Sequence, residues 1–160
     1  MKTKMMMGLA LLTLSCTNAQ ETKKSKEKEV EIPAIVKENF AKKYPTAKVE
    51  SWEKEDVGYE ASFVLNKVES SAVFDNNGTF LEVEQEIKTA ELPKTISDYC
   101  TKEYTGYKLS EAAKITDANG KLMFEAEMGN GKEHFDVLFD DKGNFVKKLD
   151  VKSEKDEDED

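Results

Sequence analysis

Apolar residues recur at helical spacing in two stretches, Ile32, Val36, Phe40 and Tyr44, then Leu92, Ile96, Cys100 and Tyr104. Each stretch opens with an apolar residue and Pro and closes on Tyr, which predicts helices over 33–44 and 92–104. Pro45 stops the first helix and Thr105-Gly106 the second. Elsewhere the period falls to two. Tyr59, Ala61, Phe63 and Leu65 alternate with Glu60, Ser62 and Asn66; Phe124, Ala126 and Met128 share one face, and Phe135, Val137 and Phe139 form another alternating set. Strands are expected over 49–56, 59–65, 68–74 and 80–87, and again over 107–116, 121–128, 132–139 and 144–151. Turn residues separate them at Val57-Gly58, Asp75-Asn76-Asn77-Gly78, Asn119-Gly120, Gly129-Asn130-Gly131 and Asp141-Lys142-Gly143.

The two halves share this order of elements and also local sequence. Tyr59-Glu60-Ala61 answers to Phe124-Glu125-Ala126, and Val73-Phe74-Asp75 to Leu138-Phe139-Asp140. The offset grows from 60 to 65 positions through an insertion near Asp117-Ala118-Asn119-Gly120. The expected fold is α+β, two tandem α-β-β-β-β units over 31–88 and 89–152, each with an amphipathic helix packed on one face of its own antiparallel sheet. The opposite face is then free to meet water or a partner.

The N-terminus changes where such a fold would work. Lys2 and Lys4 precede an uncharged apolar run, Met5 to Leu14, too short for a spanning helix, which needs about twenty residues. Residues 1–19 are therefore expected to be an export signal, and 20–30 a polar tether. Two processing routes stay open. Thr17-Asn18-Ala19 suits ordinary cleavage, whereas Leu12-Thr13-Leu14-Ser15-Cys16 resembles a lipoprotein signal with Cys16 lipidated. Localisation is thus expected to be exported: periplasmic, anchored to the outer membrane, or secreted. The membrane is met only through a lipid anchor at Cys16.

Charge narrows the partners. The formal net charge is −9, and loss of Lys2 and Lys4 takes it to −11. Every basic residue is Lys, which with this balance argues against nucleic acid. The last eight residues, SEKDEDED, carry six acids against one Lys, so 153–160 is expected to be a disordered acidic tail.

Little of the remaining chemistry rises above structural roles. Cys100 stands where Phe40 stands in the first half, on the apolar helix face, so a buried thiol is expected. His134 points by strand parity with Asp136, and no second His is present to join it in a metal site. The Asp-rich turns lack the length and closing Glu of a helix–loop–helix calcium site and read as hairpin turns. No nucleophile signature occurs, so no catalysis, cofactor or metal is expected. Trp52, Tyr59 and Tyr107 are candidate partner-binding residues, with Trp52 placed either on the open sheet face or at the edge of the core. Glu60, Glu82, Glu84, Glu86, Glu125 and Glu127 are expected to form a negative sheet surface.

Ile32-Pro33, Phe40-Ala41-Lys42-Lys43-Tyr44-Pro45, Val49-Glu50-Ser51-Trp52-Glu53, Tyr59-Glu60-Ala61 and Phe74-Asp75-Asn76-Asn77-Gly78, with their second-half partners, resemble the PepSY-like family of exported bacterial proteins. That family is related in fold to the beta-lactamase inhibitory protein. The resemblance covers nearly all of 31–151 and implies an inhibitor-like or ligand- or protein-binding module, not an enzyme. The partner expected is an envelope protein or a small ligand held on the open sheet face. An acidic, calcium-type cation-binding envelope protein is the alternative.

Overall fold

The computed structural model describes residues 31–150, so the expected signal, tether, Cys16 and acidic tail lie outside the described residues. In chain order the elements are α1 (Ala34–Lys43), β1 (Lys48–Glu55), β2 (Gly58–Leu65), β3 (Val68–Asp75) and β4 (Phe80–Ile87). A short 3-10 turn at Thr89–Glu91 leads into α2 (Lys94–Glu103), β5 (Lys108–Asp117), β6 (Leu122–Gly129), β7 (His134–Asp140) and β8 (Phe145–Asp150).

Each helix starts one residue after its proline. The Pro33 carbonyl accepts from Val36 and Lys37 N–H, and the Pro93 carbonyl from Ile96 and Ser97 N–H. Both prolines sit at the cap with extended ψ, 140° and 135°, so neither has a donor to lose inside the helix. Tyr44 N–H closes the first helix on Phe40 O at 2.8 Å, and Tyr104 N–H the second on Cys100 O at 3.0 Å.

The expectation of a separate sheet for each helix is corrected: all eight strands form one antiparallel sheet in the order β1-β2-β3-β4-β5-β6-β7-β8. The seam is the β4–β5 ladder, from Glu82 opposite Asp117 to Ile87 opposite Ala112. Apolar periodicity reports which face of a strand is covered, not which strand lies beside it, so a seam between halves leaves no trace in that signal.

Register puts both helices on the same side. Ala61 pairs Ala72 and Ala72 pairs Val83, all three packed in the cluster under α1. Two steps of two along β4 lead from Val83 to Ile87, which pairs Ala112 in the cluster under α2. The α1 cluster is aromatic: Phe40 meets Trp52, Phe63 and Phe74 at 5.6, 5.0 and 6.2 Å between ring centroids. Beneath α2 the same layer is filled differently. Cys100 replaces Phe40, Ala112 replaces Trp52 and Met128 replaces Phe63, while Phe135 stands where the first half has Ser70. Bulk lost from α2 and β5 is regained from β7, which keeps the layer filled.

Three hairpin loops share one device. The carboxylates of Asp75, Asp117 and Asp140 each accept two backbone N–H groups further along the loop, from Asn77 and Thr79, Asn119 and Lys121, and Lys142 and Asn144. Each loop then passes through a glycine with φ near +80°, namely Gly78, Gly120 and Gly143. These hydrogen bonds hold all three carboxyls below the usual carboxylate range. Two of the loops also seat the helices: Asn39 Nδ2 donates to Gly78 O at 2.9 Å, and Gly143 lies under Thr95 and Ile96.

Candidate functional site

With both helices on one face, the other face of the sheet is the large surface left open. Following the ladders lays out its rows. Glu53 pairs Glu60, which pairs Val73, which pairs Glu82, which pairs Asp117. The next row runs Ser51, Ser62, Ser71, Glu84, Ile115 and Met123. A third runs Glu86, Ala113, Glu125, Leu138 and Lys147, and a fourth Glu111, Glu127, Asp136 and Leu149.

Two features of this face differ from an ordinary solvated surface. First, its centre is dry: Ala113, Ile115, Leu138 and Asp136 are buried although neither helix lies on that side. Second, Glu60 is only 6% exposed. Burial, together with the charges of Glu55, Glu53 and Glu82, pushes its carboxyl up to about 7 despite a hydrogen bond from Ser71. Burial likewise raises Glu53, helped by Glu55. Glu111 is raised by burial and then by Glu127, Glu86, Glu69 and Glu125. Ser110 Oγ steadies one member of this group, donating to Glu127 Oε1 at 2.7 Å. The acids are spread along rows and do not converge: among the described residues no group of three or more His, Cys, Asp or Glu is placed to hold a metal ion.

The six acids expected to share a sheet surface do share this face. His134 and Asp136 also share it as expected, His134 half-buried and Asp136 buried. The aromatic candidates do not belong to it. Trp52 pairs with Ala61 and its ring meets Phe40 edge-on at 5.6 Å, so the open-face placement is corrected in favour of the core edge. A bulge between Val49 and Ser51 shifts the parity that the alternation alone suggests. Tyr59 packs in the same cluster. Tyr107 lies against Phe135 at 4.9 Å, and its hydroxyl donates to Glu133 at 2.8 Å. Sequence reasoning missed Ala113, Ile115 and Leu138 as members of the face. Their apolar character at open-face parity on β5 and β7 was the available signal. Cys100 is buried as expected, and burial pushes its thiol up to about 11.

A continuous antiparallel sheet with two helices on one side and a half-acidic, half-apolar face on the other defines a two-layer α+β protein of the beta-lactamase-inhibitor-like kind. The chain belongs to the beta-lactamase-inhibitor-like, PepSY-like family, whose profile matches residues 18–69 and 59–147. It is similar in fold to a BLIP-like protein from Bacteroides fragilis, at 22% identity and TM-score 0.61 over 79% of this chain and 92% of that one. A DUF2874 family protein from Bacteroides uniformis matches at 22% identity and TM-score 0.66, over 76% and 91% of the two chains. A periplasmic protein from Bacteroides eggerthii matches at 18% identity and TM-score 0.66, over 76% and 91%. Among curated proteins none matches this chain.

Proposed function

We propose that the chain is a non-catalytic, exported binding module of the bacterial cell envelope that holds a protein partner or ligand on its open sheet face. The observation that carries this reading is the sheet face that neither helix covers, along which rows of acids run from Glu53, Glu60 and Glu82 to Glu86, Glu125 and Glu127. The acids make a basic partner the favoured kind, by steering and by relief of their own repulsion. Trp52, Tyr59 and Tyr107 stand on the other face and are not among the proposed contacts. Export follows from the N-terminal pattern and accords with the periplasmic relative. On the lipid-anchor route, Cys16→Ser would abolish labelling of the chain by palmitate.

Photo-crosslinking tests the face directly. A crosslinker at Ser62 or Ser71 should capture one discrete partner from envelope extracts, and one at Lys37 or Lys102 on the helices should not. Capture from the helices alone would refute the open-face reading.

The calcium-binding alternative draws on the mutual repulsion around Glu111, which a divalent cation would relieve. It calls for a calcium-induced rise in thermal stability, lost when Glu82, Glu84 and Glu125 are replaced by Ala.

A further inference from the structure

The first turns of α1 lie on the β3–β4 loop, where Asn39 Nδ2 donates to Gly78 O and Ile35 packs against the same glycine. At the other end of the helix Tyr44 meets the Phe63 ring at 4.8 Å, towards the far end of β2. The chain therefore enters α1 at the end of the sheet where β1 and β3 finish and β2 and β4 begin. On the open face at that same end stands the row Glu53, Glu60, Val73 and Glu82, each acid two residues from the terminus of its strand. Glu53 and Glu82 are exposed, and neither this row nor the neighbouring row from Ser51 to Met123 holds a basic residue.

Just before that entry the sequence runs Lys23-Lys24-Ser25-Lys26-Glu27-Lys28, four lysines against one acid, outside the described residues. Both processing routes expected for the signal leave this segment on the chain. Eight steps of chain separate Lys23 from Glu31, about 26 Å when extended, against a spacing of about 10 Å between packed layers. That is enough to pass round the β3–β4 loop from the helix side to the open face. The length of the segment also suits the row: five steps from Lys23 to Lys28 span about 17 Å, and three strand spacings from β1 to β4 about 14 Å.

We propose that residues 23–28 dock across the open face on the row of Glu53, Glu60 and Glu82, as an occupant within the chain that a basic partner must displace. As a control on partner binding, this rests on the open-face reading above. The tether holds the lysines near the row at an effective concentration on the order of millimolar, so pairing with Glu53 and Glu82 need only be weak. Lysines there also favour the charged form of Glu60, which burial first and then Glu55, Glu53 and Glu82 oppose.

Zero-length carbodiimide crosslinking of the purified chain without its signal tests the docking. Peptide mapping should join Lys23, Lys24, Lys26 or Lys28 to Glu53 or Glu82, and high salt should suppress the product. In a mixture of heavy-isotope and light-isotope chains, each joined pair should carry a single label, as a contact within one chain requires. Mixed labels, joining of those lysines only to acids of residues 153–160, or no product on the sheet face would overturn the proposal. A synthetic peptide of residues 20–30 provides a second measurement. It should bind the variant carrying Lys23→Gln, Lys24→Gln, Lys26→Gln and Lys28→Gln about tenfold more tightly than the parent, whose own segment competes. Equal affinity for the two would also overturn the proposal. Partner capture at Ser62 or Ser71 reports separately on the open-face reading: self-crosslinks with no captured partner would remove that reading and leave the docking standing.

Discussion

Replacing Glu60 by Gln should change the pH dependence of stability in a defined way. The carboxyl titrates at about 7 in the folded protein, against an ordinary 4.5, because it is buried among Glu55, Glu53 and Glu82. The folded state therefore holds this proton more tightly than the unfolded state. Where folded protein binds more protons, stability falls as pH rises. Glu60 thus costs nothing below pH 4.5, an increasing amount between 4.5 and 7, and a constant amount above. At about 1.4 kcal/mol for each pH interval of one, the full cost is on the order of 3 kcal/mol. Gln keeps the shape and an oxygen for the Ser71 hydroxyl but carries no charge. Urea unfolding of both proteins from pH 4 to pH 8 is the assay. The two should be nearly equal at pH 4, and the variant should be more stable by about 3 kcal/mol at pH 8. Parallel curves, or a parent chain that gains on the variant with rising pH, would refute a buried Glu60 repelled by its neighbours.

Gly120 and Gly143 share φ +81°, but an added Cβ meets nothing at Gly120, whereas at Gly143 it collides with Thr95 Oγ1. Gly120→Ala should cost about 1 kcal/mol from backbone strain, and Gly143→Ala clearly more, as read by urea unfolding. Phe40→Ala removes the ring shared by Trp52, Phe63 and Phe74 and should cost about 3–5 kcal/mol in the same assay. Cys100 should resist a thiol reagent at neutral pH until urea unfolds the chain, since burial both hides it and keeps it protonated. Rapid labelling of the native protein would contradict that.

The helices and strands were legible because apolar spacing and turn chemistry agreed. Ile32, Val36 and Phe40 repeat at helical spacing, and the Asp-x-x-Gly loops mark hairpins independently of any partner strand. The single sheet was not legible, because the β4–β5 ladder joins residues that the α2 segment separates, and pairing partners leave no mark in periodicity. Trp52 was left between the two faces for a local reason: one extra residue at the β1 bulge reverses which face the next side chain takes. The acids were correctly assigned to one face, since Glu82, Glu84 and Glu86 hold strict alternation. The burial of Glu60 was hidden, because it depends on four strands lying side by side.

The seam between β4 and β5 also bears on how the protein comes apart. If one half were to melt alone, an inner strand of the other would lose its partner and leave a row of amides and carbonyls facing solvent. That penalty ties the fates of the halves together, so amides on both sides of the seam should exchange with deuterium through a common, near-global opening.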